Sequence, residues 1–376
     1  MGFISREGRK LNFAEIRGGQ WEETDPYYRE SLLFCKDWLE GAANFSLQTS
    51  GSTGVPETIH VTREQMVASA RATADFFGIN GSINMRCCLN TQMIAGKMML
   101  VRAMEWNSCL YLVKPSSNPF LDVDETNATD FAALVPYQLE VSLADPKSRD
   151  LLHRVKHLII GGAPLSPVLR KKVKSLPGNL FQTYGMTETV SHIALADLKA
   201  PGALVYRTLP DVEIRLSPDN CLEIKAPMSN NAWLSTRDIV KLVSPNGFVW
   251  KGRADFTINS GGVKVQPEAV EDIIGGTVGG YFPNKRFIVG SRPDLSLGEK
   301  VVLVVEQANA PGSGIQGLLS NLKTMLPPYH EPKEVLFLEA FAETGSGKIN
   351  RRETLRQLSG VQSSDTKNPE PGKDRE

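Results

Sequence analysis

The stretch HLIIGGAPLSPVLRKKVKSLPGNLFQTYG, residues 157–185, decides the fold. His157 to Ile160 is a short β-type run, Gly161-Gly162-Ala163-Pro164 turns the chain, and Ser166 caps a helix whose first position is Pro167. Leu180 to Tyr184 then repeats the strand signal. Strand, helix and strand at this spacing make a βα unit, and such alternation predicts a largely parallel sheet with ligand loops at its carboxyl edge.

Working outward, residues 63–78 place Met66, Ala70, Ala74 and Phe77 at helical spacing and stop at Gly78. A second helix is expected over Met93 to Met104 and a strand over Cys109 to Val113. From about Ala203 to Trp250 the period changes to alternation, as in Val212 to Leu216 and Leu222 to Lys225 around the turn Ser217-Pro218-Asp219-Asn220, which predicts a small antiparallel β subdomain. Beyond it, strands at Phe287 to Val289, Val301 to Val305 and Val335 to Leu338 mix with helices at Pro267 to Ile274 and Ile315 to Met325. The expected class is α/β: a large N-terminal domain (1–253) with mainly parallel sheets plus the β subdomain, a small α+β C-terminal domain (254–360), and a disordered tail (361–376) too polar to offset its ordering entropy.

A chain of 376 residues is long enough for two domains. Its 42 basic and 42 acidic residues balance, so no net field draws it to nucleic acid or an anionic membrane, and partners must be argued from sites. The five cysteines form no CxxC pair and read as reduced thiols. No run approaches the length of a membrane span, and the first residues lack a signal-peptide core, so a cytoplasmic location is expected.

Thr49-Ser50-Gly51-Ser52-Thr53-Gly54 puts four hydroxyls and two glycines into six residues after the apolar Phe45-Ser46-Leu47. Backbone amides and hydroxyls in such a loop turn readily toward phosphate oxygens, whereas a flexible Ser/Gly linker seldom sits between a strand and a helix. It is not a Walker loop, since no Gly-Lys-Ser/Thr follows. Downstream stand Tyr184-Gly185-Met186-Thr187-Glu188-Thr189, Thr236-Arg237-Asp238, Gly252-Arg253-Ala254-Asp255, Gly261-Gly262-Val263-Lys264 and Gly345-Ser346-Gly347-Lys348.

These motifs, in this order over roughly residues 45–355, resemble the signatures of the acyl-adenylate-forming superfamily, the AMP-dependent synthetases and ligases. The resemblance implies an acid–thiol ligase that uses ATP and Mg²⁺ to form an acyl adenylate and CoA as co-substrate. It implies that Thr49 to Gly54 cradle phosphate, that Tyr184 lies against adenine, that Gly162 and Gly185 also belong to the cofactor-binding set, and that Thr187 and Glu188 hold the metal. Asp238 would accept from ribose hydroxyls, Arg253 would reach ribose or phosphate, and Lys348 would bridge carboxylate and α-phosphate during attack. In the family the small domain rotates about a hinge, here Asp255, bringing Gly261, Gly262 and Lys264 toward a thiol channel.

Two departures narrow the reading. Glu57 stands where many members carry a lysine, and Arg63 is the nearest substitute. Only 48 residues precede the loop, and short chains of this kind resemble the o-succinylbenzoate-CoA ligases of menaquinone biosynthesis. Ile94 to Met99 looks like that group's pocket helix, with Lys97, Ser191 and His192 as candidate substrate contacts, although a lysine there can also reach the surface. A ligase for another aromatic or short acid, an adenylation domain loading a carrier protein, and a silent nucleotide-binding protein share the ATP motifs. The expected partners are small molecules, with a homodimer as the possible assembly.

Overall fold

The computed structural model describes residues 2–48, 58–121, 128–311, 313–344 and 349–360. Two compact units follow one another along the chain, the first ending at Ala254 and the second beginning at Asp255.

The first unit is built on a 13-stranded sheet. Its parallel run has the order Asn179–Gly185, His157–Ile160, Phe131–Leu134, Asn84–Cys87, Cys109–Leu112 and Phe3–Arg6. Phe131–Leu134 is buried at every position, as a strand covered on both faces must be. One face packs on the helices Pro26–Glu40, Arg63–Phe77 and Ile94–Glu105 through Leu32, Met66 and Met98. The other packs on Pro136–Ala144, Pro146–Leu152 and Pro167–Val173 through Leu139, Leu152 and Leu169.

Local chemistry fixes these helices where it was expected to. Thr62 and Gln65 form a reciprocal cap on Arg63–Phe77, and Gly78 ends it at φ +65°. Ser166 accepts from the Leu169 amide, with Pro167 at the first helical position. Helix Pro26–Glu40 carries the same punctuation, with the Asp25 carboxylate accepting from Tyr27 and Tyr28 and Gly41 closing at φ +96°.

The antiparallel strands do not form a separate sheet. His192–Asp197 folds back antiparallel on Asn179–Gly185, and Tyr206–Thr208, Gly247–Arg253, Trp233–Ser244, Cys221–Lys225 and Glu213–Leu216 extend the same ladder outward. The expected β subdomain is therefore a continuation of the main sheet, because a tight return after Gly185 lets the chain pair with its own last parallel strand.

The second unit has a five-stranded sheet in which Gly298–Glu306 pairs with Phe287–Asp294, Ile258–Ser260 and Glu334–Leu338. Within it Val301, Leu303 and Val305 face helices Pro267–Tyr281 and Ile315–Met325, while Val302 and Val304 face Leu358 of helix Arg351–Gly360. A strand's period of two thus places the last helix on the opposite face from the other two.

Candidate functional site

Tyr184 is the penultimate residue of the last parallel strand, and its ring packs edge-on to Tyr206 and Phe248 at 5.8 and 5.1 Å. Its hydroxyl donates to Asp238 Oδ2 at 2.6 Å, while the Trp250 indole N–H donates to Oδ1 at 3.0 Å. Burial, reinforced by the adjacent Asp238 charge, raises the Tyr184 phenol, which stays protonated and a donor. Asp238 lies directly opposite Arg253 in the ladder of Trp233–Ser244 with Gly247–Arg253. Tyr184, Asp238 and Arg253, far apart in sequence, therefore meet on one ledge of a continuous sheet.

Gly185 permits the return. A Cβ there would collide with the Ser191 carbonyl and lie 2.5 Å from His192 Cα. The intervening turn, Thr187–Thr189, leaves Glu188 exposed and forces Val190 to φ +64°, a costly conformation for a β-branched residue. Gly162 follows its strand at φ +90°, where other residues are strained. Among the described residues no three metal-ligating side chains cluster. Glu188 and Thr187 alone suit Mg²⁺, which takes one or two protein oxygens and completes its shell with phosphate and water.

Ser191 and His192 come together with a residue that the sequence reading passed over. Arg102, 2% exposed on helix Ile94–Glu105, donates from Nη2 to Ser191 Oγ at 3.1 Å. Its Nε has no partner, and among the described residues no carboxylate pairs with it. Burial pushes the guanidinium down to about 10. His192 Nε2 lies 3.2 Å from Thr73 Oγ1, and burial, helped by the Arg102 charge, holds the imidazole well below its usual range and neutral. A charge inside an apolar helix needs a partner, and within MMLVRAM the buried Arg102 needs one more than the half-buried Lys97 does.

Lys97 lies five positions earlier, roughly 140° round the helix. It is half-buried in a separate cleft with Glu30, Asp37 and Phe34, its ammonium 5.7 Å from the Phe34 ring, and desolvation lowers it. The structure does not bring it to Ser191 and His192. Arg63 is likewise engaged elsewhere: its guanidinium lies 4.0 Å over Trp38 and donates to the carbonyls of Ala42 and Trp38. The phosphate-loop residues Thr49, Ser50, Gly51, Ser52, Thr53 and Gly54, together with Glu57, lie outside the described residues.

Asp255 opens the second unit in the turn Ala254–Phe256. Gly261 and Gly262 have φ +57° and +80°, and a Cβ on Gly261 would sit 2.7 Å from the Tyr329 ring. Lys264 is exposed in Val263–Val265. Lys348 lies outside the described residues, but its flanks are held. Glu343 bridges Ile349, the Asn350 amide donates to Ala342 at 2.7 Å, and Arg351 makes a two-pronged pair with Glu271 at 2.7 and 2.9 Å.

A parallel sheet whose last strand carries an aromatic ring near its carboxyl end, with a carboxylate and an arginine brought beside it by the antiparallel extension, is the frame of a nucleotide-using α/β enzyme. Comparison with known proteins gives the rest. The family model described as AMP-binding enzyme matches residues 44–226. The chain is 36% identical to the solved acyl-CoA synthetase (AMP-forming)/AMP-acid ligase II-like protein of Dyadobacter fermentans, covering 91% of this chain and 97% of that one at a TM-score of 0.62. It is 25% identical to 2-succinylbenzoate–CoA ligase of Listeria monocytogenes, over 93% of this chain and 76% of that protein. The Bacillus subtilis o-succinylbenzoate coenzyme A synthetase, solved with ATP and magnesium, shares the fold at a TM-score of 0.68 and 22% identity, over 82% of this chain and 69% of that one. The chain belongs to the AMP-binding enzyme family. Its activity is that of an AMP-forming acyl-CoA ligase.

Proposed function

We propose that the enzyme activates an acid bearing two carboxylates, with o-succinylbenzoate the first candidate, and passes the acyl group to CoA. The observation that carries this reading is Arg102, a buried cation with no carboxylate partner among the described residues, aimed at Ser191. Leaving a charge so placed is costly unless a ligand completes it. The second carboxylate of such an acid would do so, with Ser191 as a further donor and neutral His192 beside it. The Listeria relative, named for 2-succinylbenzoate, supports the choice.

The chemistry divides among this chain's residues. Tyr184 offers its ring to adenine, and Asp238 accepts from the ribose. Arg253 and the hydroxyl-rich loop Thr49 to Gly54 bind the phosphates, and Gly162 belongs to the same cofactor-binding set. Glu188 and Thr187 would hold Mg²⁺, which would supply positive charge against the phosphate oxygens. One carboxylate oxygen attacks the α-phosphorus, the bond to pyrophosphate breaks, and Lys348 offsets the negative charge that builds up between them. The CoA thiolate then attacks the acyl carbon and AMP leaves with the bonding pair. The second unit turns about Asp255 between these steps and presents Gly261, Gly262 and Lys264 to the thiol. In this reading the enzyme works in the cytoplasm on small molecules.

The test is turnover of ATP, CoA and o-succinylbenzoate with Mg²⁺, following AMP and thioester by mass, with Lys348→Ala alongside. AMP and thioester from the wild type, and adenylation slower by roughly two orders of magnitude or more in the variant, are expected. No AMP with this acid, but AMP with monocarboxylic acids, would overturn the diacid assignment.

A further inference from the structure

The ladder that carries Asp238 contains an irregularity with a chemical consequence. Ile239 pairs with Gly252, yet the next residue, Val240, pairs with Trp250, so Lys251 is an extra residue in its strand. This is a β-bulge, and Gly252 at φ +144° supplies the backbone freedom it requires. Without the bulge Trp250 would point to the face opposite Asp238, because side chains alternate. With it, Trp250 shares the face of Val240 and Asp238, and its indole N–H reaches Asp238 Oδ1.

We propose that Trp250 is a positioning residue for ribose recognition, locking the Asp238 carboxylate so that it meets the ribose hydroxyls in one orientation. The inference rests on the ribose role assigned to Asp238 above. An ionised carboxylate has about four acceptor positions on its two oxygens. The Tyr184 hydroxyl takes one on Oδ2 and the Trp250 N–H one on Oδ1, fixing rotation about the Cβ–Cγ bond. One position on each oxygen is left, and two neighbouring acceptors match the paired 2′- and 3′-hydroxyls of a ribose. An indole N–H only donates, so Oδ1 meets it as an acceptor. Tyr184 alone would leave the carboxylate free to swing about that single contact.

The experiment compares ATP with 2′-deoxyATP and 3′-deoxyATP in pyrophosphate exchange, for wild type, Trp250→Phe and Asp238→Ala. Phe keeps the ring and removes the N–H. Expected for Trp250→Phe is a KM for ATP raised about three- to tenfold with kcat little changed, and a smaller preference for ATP over the deoxynucleotides. Trp250→His, which restores a ring N–H, should recover part of that preference. Trp250→Leu carries the same expectation as Phe if the Phe variant does not fold. A preference unchanged in Trp250→Phe or Trp250→Leu but lost in Asp238→Ala overturns the role of Trp250. A preference unchanged in Asp238→Ala overturns the ribose assignment itself, and the positioning role with it.

Discussion

Replacing Arg102 with methionine should yield an enzyme that is more stable without ligand and indifferent to a second carboxylate. The fall of the guanidinium from 12.5 to about 10 corresponds to about 3 kcal/mol charged against the ionised form, at about 1.4 kcal/mol per pH unit. Because the group is ionised in folded and unfolded chain alike at neutral pH, the folded state bears that cost. Methionine fills similar space without charge and forgoes the bond to Ser191, so a net gain of about 1 to 3 kcal/mol is expected. In a unit of this size that raises Tm by about 2 to 4 °C per kcal/mol. Binding should change the other way, since a buried substrate carboxylate would lose its cation: kcat/KM for o-succinylbenzoate should fall about a hundredfold or more. An analogue lacking one carboxylate should fall far less. The assays are thermal unfolding of the ligand-free protein and kcat/KM for the acid pair. A diacid-to-monoacid ratio that stays put would refute the reasoning, as would a lower Tm.

Three further perturbations follow from the same geometry. His192 is held neutral below its ordinary 6.5, so stability is intact above that value and is lost as pH falls through it; between pH 7 and 5.5 the loss should be about 1 kcal/mol. His192→Asn should flatten that slope in urea titrations, and an unchanged slope would count against a buried neutral imidazole. Gly185→Ala must push the returning strand away from Tyr184, so the ATP KM should rise at least tenfold; unaltered nucleotide kinetics would show that the close approach is dispensable. Arg351→Met leaves Glu271 without its ion-pair partner and should cost about 3 kcal/mol of stability in the second unit, partly recovered by Glu271→Gln in the double variant, as read by denaturant unfolding.

What the sequence disclosed and what it hid divide along range. The strand His157–Ile160, the Ser166 cap and the Gly78 stop were legible because neighbouring residues decide them. Helix Pro26–Glu40 was legible by the same rules, in Asp25-Pro26 and Gly41, and went unread. The motif residues Tyr184, Asp238 and Arg253 were found by resemblance, and the sheet brings them together by pairings no local window contains. The depth at which Arg102 is buried depends on packing between distant elements, whereas Lys97 stands within a segment, Ile94 to Met99, that resembles a pocket helix. The bulge at Lys251 depends on a register between two strands, and one strand alone carries no sign of it beyond Gly252.

The continuous sheet from Tyr184 to Asp238 also bears on how this unit breathes. Tyr184 pairs with Ala194, Ala194 with Thr208, Tyr206 with Phe248 and Asp238 with Arg253, while Tyr206 and Phe248 stack at 5.4 Å across the strands. Tyr184 and Asp238 are therefore rungs of one fabric and cannot open separately. Amide hydrogen exchange should find them protected to a common depth, rising and falling together as a single cooperative block. A nucleotide bound there would be read by the sheet as a whole, and a mutation that frays one rung would be felt at both ends of the nucleoside.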